Sequence, residues 1–571
     1  MERKIILNLA VILMFVFLIT GLLSLSIIQG DKFRRQSDSN CIRLISQSGS
    51  RGNILDRNGE IIVDNKISYD VMILPQDLDH IDQVFTLISR ILGVEVKELR
   101  ATFKKNFISS SVPITVATNI ELKSAIALGE YKTEQPSIIV VPKPLRHYPY
   151  GALACHVVGY VNEIDRWRLT KLEDYGYKTK DIVGFGGVEE KYDYYLRQEE
   201  GGLSVEVNHR GKFMRVLGFE PPRNGKDVQL TLDIKIQKIV EENLSGKKGS
   251  VIVMDPLSGE ILALANFPNF NPAVFVSKRS KLISALFNDP DSPFINRAIE
   301  SSYPPASVFK IVLASAGLEL KKINPSTTFI CPGWTMVGAR KFSCWETHGS
   351  EDIFQAIAHS CDVFFYKTGL LCGAQNIHDY ALKLGLGRNV GFELAGETSG
   401  FIPSPLWRKI NKFQNWYDGD TANLSIGQGD CLVTPLQVTN MLAVFANHGY
   451  ILNPYIVKAV GGMDFSGKKN RLIAVPFKKN TFEVISNGLA RVVSEAKGTA
   501  NILSSLPVKV AGKTGTAQVP HGATHAWFAG FFPFDKPKYV ICVFLENGGP
   551  GHAAAVIAKQ IIEAMNNQGL I

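Results

Sequence analysis

Residues 5–28 run for twenty-four positions without a charged side chain, directly behind Glu2, Arg3 and Lys4. In hydrocarbon every backbone N–H and C=O must find its partner within the segment, so a run of this kind folds as a helix. Its length is enough to cross a hydrocarbon core of about 30 Å. A cleaved signal sequence carries a shorter apolar stretch and small residues at the cleavage site; no convincing A-x-A motif occurs, and no cysteine follows closely enough for a lipoprotein. The segment reads as an uncleaved single-pass anchor. Charge leaves its orientation open, because Lys32, Arg34 and Arg35 balance Arg3 and Lys4.

The rest of the 571-residue chain is 45% hydrophobic, without an internal repeat or low-complexity tract, which allows two or three domains with ample core. A net charge of +9, spread rather than clustered, argues against nucleic acid as a partner.

Three short segments carry reactive side chains in one order: Ser307-Val308-Phe309-Lys310, Ser360-Cys361-Asp362 and Lys513-Thr514-Gly515-Thr516. Together they supply a serine nucleophile, a lysine within its reach, a second hydroxyl and a cation at the end of a strand. These are the parts of acyl transfer through a covalent serine ester. Each spacing alone is weak. Ser245 with Lys248, Ser466 with Lys469 and Ser494 with Lys497 repeat the first, and Lys367-Thr368-Gly369 repeats the third.

Context separates them. Ser307 follows Tyr303-Pro304-Pro305-Ala306 and precedes the apolar run 311–320, which predicts a helix start at the serine. The helix dipole there favours developing negative charge, and Lys310 lies three residues on, on the same face. Ser245 and Ser466 open Ser-Gly-Lys-Lys turns, and Ser494 has no comparable helix-start signal. Lys513 ends the alternating run 508–512, which reads as a strand, and strand-like runs follow at 525–532 and 538–545. Lys367 lies in a stretch that reads as helix.

Elsewhere, 79–105 has helical periodicity and 137–141 reads as a short buried strand. Glycine-rich joints stand at 184–187 and 201–202. Glu220-Pro221-Pro222-Arg223-Asn224-Gly225 reads as a linker, which places the main boundary at 225/226. Beyond it, 249–254 and 260–265 read as a hairpin around Pro256-Leu257-Ser258-Gly259, and 553–564 as a closing helix. Strands, then helices, then strands fit an α+β domain.

With these motifs the chain resembles the class B penicillin-binding proteins. Arg51-Gly52-Asn53-Ile54-Leu55-Asp56-Arg57-Asn58-Gly59 resembles the family's R-G-x-I-x-D-R-N-G signature, itself readable as a turn at 56–59. Gly187-Val188-Glu189-Glu190-Lys191 resembles a segment of its non-catalytic pedestal. Residues 303–310, 360–362 and 513–518 resemble most closely the members that act in cell elongation and shape maintenance. Asp362 stands where the family usually has asparagine.

The resemblance implies a cytoplasmic tip and transmembrane helix at 1–29, a mixed α/β, dimerisation-like pedestal at 30–225, and a transpeptidase domain at 226–571 with helices packed on an antiparallel sheet. It implies a peptidoglycan D,D-transpeptidase on the periplasmic side of the bacterial inner membrane. Ser307 would attack the penultimate carbonyl of a stem peptide ending in D-Ala-D-Ala, unprotonated Lys310 would take its proton, and Ser360 would relay a proton to the leaving amine. Lys513 and Thr516 would hold the terminal carboxylate, with Asp362, Thr514 and Gly515 also lining the substrate. The amides of Ser307 and Thr516 would form the oxyanion hole. β-Lactams would acylate the same serine, and a RodA-type glycan polymerase and its elongation complex would be partners. The alternative is a membrane-anchored β-lactam sensor that acylates once and signals, but no further span or cytoplasmic effector is visible. A β-lactamase conflicts with the anchor and the pedestal.

Three of the eight cysteines fall in one window with a histidine: Cys331, Cys344, His348 and Cys361, spaced C-x12-C-x3-H-x12-C. Soft thiolates with an imidazole suit tetrahedral, structural zinc, and the resemblance implies zinc in this subgroup as well. A Cys331–Cys344 disulfide and ordinary buried thiols are the alternatives. Cys361 lies inside the second motif; on a helix it would point about 100° away from Ser360 and could face a metal while the serine faces substrate. Cys41, Cys155, Cys372, Cys431 and Cys542 are scattered.

Overall fold

The computed structural model describes residues 2–34, 42–78, 80–107, 112–207, 213–465, 472–520 and 522–571. Two compact units emerge. One comprises Met1–Arg51, Asn65–Leu145 and Arg197–Gly225; the other comprises Gly52–Asp64, Arg146–Leu196 and Lys226–Ile571.

In the first unit, helix Glu2–Leu23 runs into a π-type turn, Ser24–Ile28. Arg3–Ile28 is long and apolar enough to cross a membrane, and its large apolar side chains are exposed. The periodic stretch at 79–105 is two helices, Ile81–Leu92 and Val96–Asn106, parted where Gly93 adopts φ +69° and its amide bonds Ser89 O. A left-handed residue ends a helix, and glycine does so without a Cβ clash. Phe85, Ile88, Leu99 and Phe103 build the core with strands that include Ile114–Ile120 and Ile138–His147, the latter longer than the run at 137–141 suggests. A separate antiparallel sheet joins Ile42–Gln47, Gly201–Val207 and Phe213–Glu220. Gly201 and Gly202 thus open a strand rather than form a joint.

The second unit carries the motifs. Helix α1 (Ile234–Leu244) precedes the hairpin of β1 (Gly249–Met254) and β2 (Ile261–Phe267), whose turn contains Gly259 at φ +80°. Helices α2 (Lys310–Glu319), α3 (Ile353–Ala358), α4 (Asp362–Cys372), α5 (Pro435–Ala446) and α6 (Lys479–Ser494) follow. Strands β3 (Ala511–Ala517), β4 (His525–Phe532) and β5 (Tyr539–Leu545) then lead to helix α7 (Gly551–Asn567). The starts of three helices are explicit in the sequence: Asp233 accepts the Lys235 amide at 3.0 Å, and capping boxes join Asp352 to Gln355 and Thr434 to Gln437.

The five strands form one antiparallel sheet in the order β2-β1-β5-β4-β3. Every residue of β4 is buried, which requires cover on both sheet faces; α5 and α7 supply it, and α1 packs on β2. Strand β3 is left at the edge.

The sequence boundary at 225/226 omits two segments that cluster with the second unit. Asp56 shows why the first does so. Its buried carboxylate accepts the amides of Asn58 at 2.7 Å, Glu60 at 2.8 Å and Ile234 at 3.4 Å, the last at the start of α1. A buried carboxylate must keep such donors, so the expected turn at 56–59 is bound to the helix behind it. In the second segment, buried Arg146 and Glu189 pair at 2.7 Å.

Candidate active site

Ser307 stands in a single 3-10 turn, Ala306–Phe309, that leads into α2. The expected helix start is present, with a tighter first turn. The turn is held from outside. Ala306 has φ +49° and its amide donates to Gly427 O at 3.0 Å, while Trp527 Nε1 donates to Pro304 O at 3.0 Å. Gly427 has φ +68°, and a Cβ there would lie 2.4 Å from Ala306 O, so no side chain fits. Ser307 remains partly exposed, whereas Val308, Phe309 and Lys310 are buried.

Ser360 lies between α3 and α4, not on a helix as the 100° reading supposed. The Ser360 amide bonds Ile357 O at 3.3 Å, and the Cys361 amide bonds Ala356 O at 3.0 Å. This is a Schellman helix end, and Ser360 occupies its left-handed position at φ +57°, where glycine is usual. A serine held there is strained and keeps its conformation only because its neighbours determine it. The same bend sends Ser360 Oγ toward Lys310 and leaves Cys361 facing the thiol cluster.

Lys310 joins the first two motifs. Its Nζ donates to Ser360 O at 2.7 Å, Ser360 Oγ at 3.1 Å and Asp362 Oδ1 at 2.7 Å. Three acceptors match the three donors of an ammonium. Asp362, expected to line the substrate, is thereby the carboxylate partner of Lys310.

The third motif lies inside β3 rather than after it, because the strand begins at Ala511. Lys513 is fully buried and donates to Thr514 O at 3.2 Å. Burial, then the positive charge of Lys310, holds its amine well below the usual lysine range, with Asp362 opposing. Thr514 Oγ1 donates to Thr499 Oγ1 at 2.7 Å. A Cβ on Gly515 would lie 3.1 Å from Pro305 O, so the glycine lets the edge strand approach the serine turn. Thr516 is exposed, and its Oγ1 accepts the Gly551 amide at 2.8 Å.

The decoys separate as their contexts suggest. Ser245 caps the end of α1, Ser494 is the last residue of α6, and Lys367 lies within α4; Ser466 and Lys469 are outside the described residues. Gly427, Thr499, Trp527 and Gly551 carry no local signal in the sequence, because each acts through a neighbour distant along the chain.

One donor atom from each of Cys331, Cys344, His348 and Cys361 lies within 4.8 Å of all the others. His348 Nδ1 is 3.6 Å from Cys331 Sγ and 3.5 Å from Cys344 Sγ. All seven described cysteines are free thiols, so Cys331 and Cys344 are not joined; Cys41 lies outside the described residues. The Asp362 amide donates to Cys344 Sγ at 3.2 Å, which makes a cluster sulfur the cap of α4. Hydrogen bonding with Cys361 pulls the Cys344 thiol far down and pushes Cys361 up. Burial works against the His348 imidazolium, but its bonds to Cys344 and Cys331 outweigh this and raise it to about 9.

The family model for the penicillin binding protein transpeptidase domain matches residues 249–563, and that for the penicillin-binding protein dimerisation domain matches 46–230. The chain is 31% identical to the peptidoglycan D,D-transpeptidase MrdA of Escherichia coli (strain K12), over 98% of this chain and 93% of that protein. Among solved structures it is similar to the penicillin-binding protein PBP2 of Helicobacter pylori in complex with MreC, with a TM-score of 0.83 and 28% identity over 93% of this chain and 99% of that one. A chain from a structure described as coordinating polymerisation and crosslinking in a peptidoglycan synthase complex gives a TM-score of 0.75 and 29% identity, covering 98% of both.

Proposed function

This chain belongs to the class B penicillin-binding proteins and is a serine-type peptidoglycan D,D-transpeptidase, and we propose that Ser307 carries its acyl-enzyme during cell elongation. The observation that carries this reading is the placement of Lys310, one turn after Ser307 and 3.1 Å from the Ser360 hydroxyl. Ser307 Oγ attacks the penultimate D-alanine carbonyl of a stem peptide, the C–N bond breaks, and the last D-alanine leaves. Lys310, acting as its free amine, takes the serine proton, and that proton passes through Ser360 to the leaving amine. An amine of a neighbouring stem peptide then resolves the ester.

The amides of Ser307 and Thr516 take the oxyanion. Lys513 and the Thr516 hydroxyl hold the terminal carboxylate, beside Thr514 and Gly515. A buried amine that is reluctant to charge is relieved by an arriving carboxylate, so this end of the site favours substrates with a free C-terminus. β-Lactams, which carry a carboxylate beside a reactive amide, acylate the same serine.

The cysteine cluster fits zinc. Tetrahedral bonds of about 2.3 Å to sulfur and about 2.0 Å to nitrogen put the two ligand atoms about 3.5 Å apart, near the separations of His348 Nδ1 from Cys331 and Cys344. Bound there, zinc would be structural, with no ligand position left for substrate. Through Cys344 and Cys361 these residues hold the start of α4 and the Ser360 bend.

The Arg3–Ile28 helix anchors the chain in the inner membrane, with the catalytic unit in the periplasm. The PBP2–MreC complex and the synthase complex among its relatives support a place in an elongation assembly with a RodA-type polymerase. Replacing residues 3–28 with an unrelated transmembrane helix should keep penicillin labelling and weaken co-purification with that polymerase; unchanged co-purification would remove the anchor sequence from the interface.

The catalytic reading is tested with polymerised glycan bearing pentapeptide stems. The wild-type protein releases D-alanine in step with cross-linked product, and Ser307→Ala releases none. Mass spectrometry after penicillin treatment places the adduct on the Ser307 peptide. An adduct at Ser245, Ser466 or Ser494 would overturn the assignment.

A further inference from the structure

The third motif is braced from behind by the turn between β5 and α7. Gly551 is the first residue of α7, and its amide is one of the donors a helix start leaves without an intrahelical partner. That amide donates to Thr516 Oγ1 at 2.8 Å. A hydroxyl has one hydrogen to give and two lone pairs to fill. With an amide on one lone pair, the Thr516 hydrogen is left for an acceptor in the cleft, which is what binding a carboxylate demands. The fit is close: a Cβ on Gly551 would lie 2.6 Å from Gly515 O, so the turn rests directly on the motif's backbone.

The turn at 547–551 is held in turn by β4. His525 Nδ1 accepts the Asn547 amide at 2.9 Å, and Asn547 has φ +54°. Thr524 Oγ1 donates to Gly549 O at 2.7 Å, and the Gly549 amide donates to Thr524 O at 2.9 Å. A backbone N–H can only donate, so Nδ1 must be the unprotonated nitrogen of a neutral ring. Edge-on contacts with Tyr303 and Phe544, at 5.5 Å each between ring centres, fix the ring plane. His525 is 8% exposed and pairs across the sheet with Ala517, next to Thr516.

We propose that His525 is a positioning residue for recognition of the substrate carboxylate: by accepting the Asn547 amide it seats the 547–551 turn, and the Gly551 amide then orients the Thr516 hydroxyl into the cleft. This rests on the reading above that Thr516 binds the terminal carboxylate.

The test compares second-order acylation by a penicillin and by its methyl ester, and the ratio of the two rates is the readout. Thr516→Ala lowers the acid-to-ester ratio about tenfold, as loss of one charge-assisted hydrogen bond would. His525→Leu lowers the ratio in the same direction. His525→Asn, whose Oδ1 stands near the place of Nδ1, restores it to within about twofold of wild type. A wild-type ratio in His525→Leu while Thr516→Ala shifts it would overturn the proposal and leave the carboxylate reading intact. Equal loss of both rates, with the ratio unchanged, would reduce His525 to a general folding role and also overturn it. A wild-type ratio in Thr516→Ala would sink the carboxylate reading itself, and the proposal with it.

Discussion

The Lys310 amine lies 2.7 Å from the Asp362 carboxylate, fifty-two positions away in the chain, and closes the first motif on the second. The two side chains are 1% and 16% exposed, so water does little to screen the pair. Asp362→Asn keeps an acceptor at that place, and acylation should stay within about tenfold of wild type. Asp362→Ala leaves a buried amine without its partner and should lower unfolding free energy by about 3 kcal/mol. Chemical denaturation of the two variants distinguishes them; equal stability would show that the pair contributes nothing to the fold.

Lys513 should hold a proton more tightly when a carboxylate arrives. Burial and the Lys310 charge keep its amine well below the ordinary lysine range in the free protein, and a bound carboxylate reverses the balance. Acylation by penicillin should therefore be accompanied by net proton uptake, seen with an indicator dye in weak buffer. No uptake would mean that the amine is already charged before binding.

Metal content, melting temperature and acylation rate should fall together in His348→Ala. Structural zinc contributes folding energy directly, and here the same residues cap α4 through Cys344. The variant leaves all three cysteines in place, so it cannot be confused with a broken disulfide. Elemental analysis of the unmutated protein that finds no stoichiometric zinc would defeat the idea outright.

His156 should make the fold sensitive to acid. Burial lowers it from the usual 6.5 to about 4, with Arg297 adding to the effect and a bond to Pro293 O opposing it. The unfolded chain then binds the proton more tightly than the folded one. The contribution is complete above pH 6.5 and is lost as pH falls toward about 4, amounting to about 3 kcal/mol. Urea unfolding at a series of pH values should show this slope in the wild type and a shallower one in His156→Gln; parallel slopes would assign the acid sensitivity elsewhere.

What the sequence determined by itself is what neighbours along the chain decide. The apolar run at 5–28, the turn before Glu260, strand β4 and the Ser307–Lys310 spacing all follow from side-chain period, turn residues and caps, and the structure has them where local rules put them. The left-handed Ser360, the Asp362 partner of Lys310, the burial of Lys513 and the Gly551 amide on Thr516 have no local signal. Each is set by elements distant along the chain that meet only when the sheet and its covering helices close. A serine takes up a strained, glycine-like conformation, and an amine is buried with its basicity lowered, because surrounding contacts outweigh the local preference, and those contacts exist only in the folded unit.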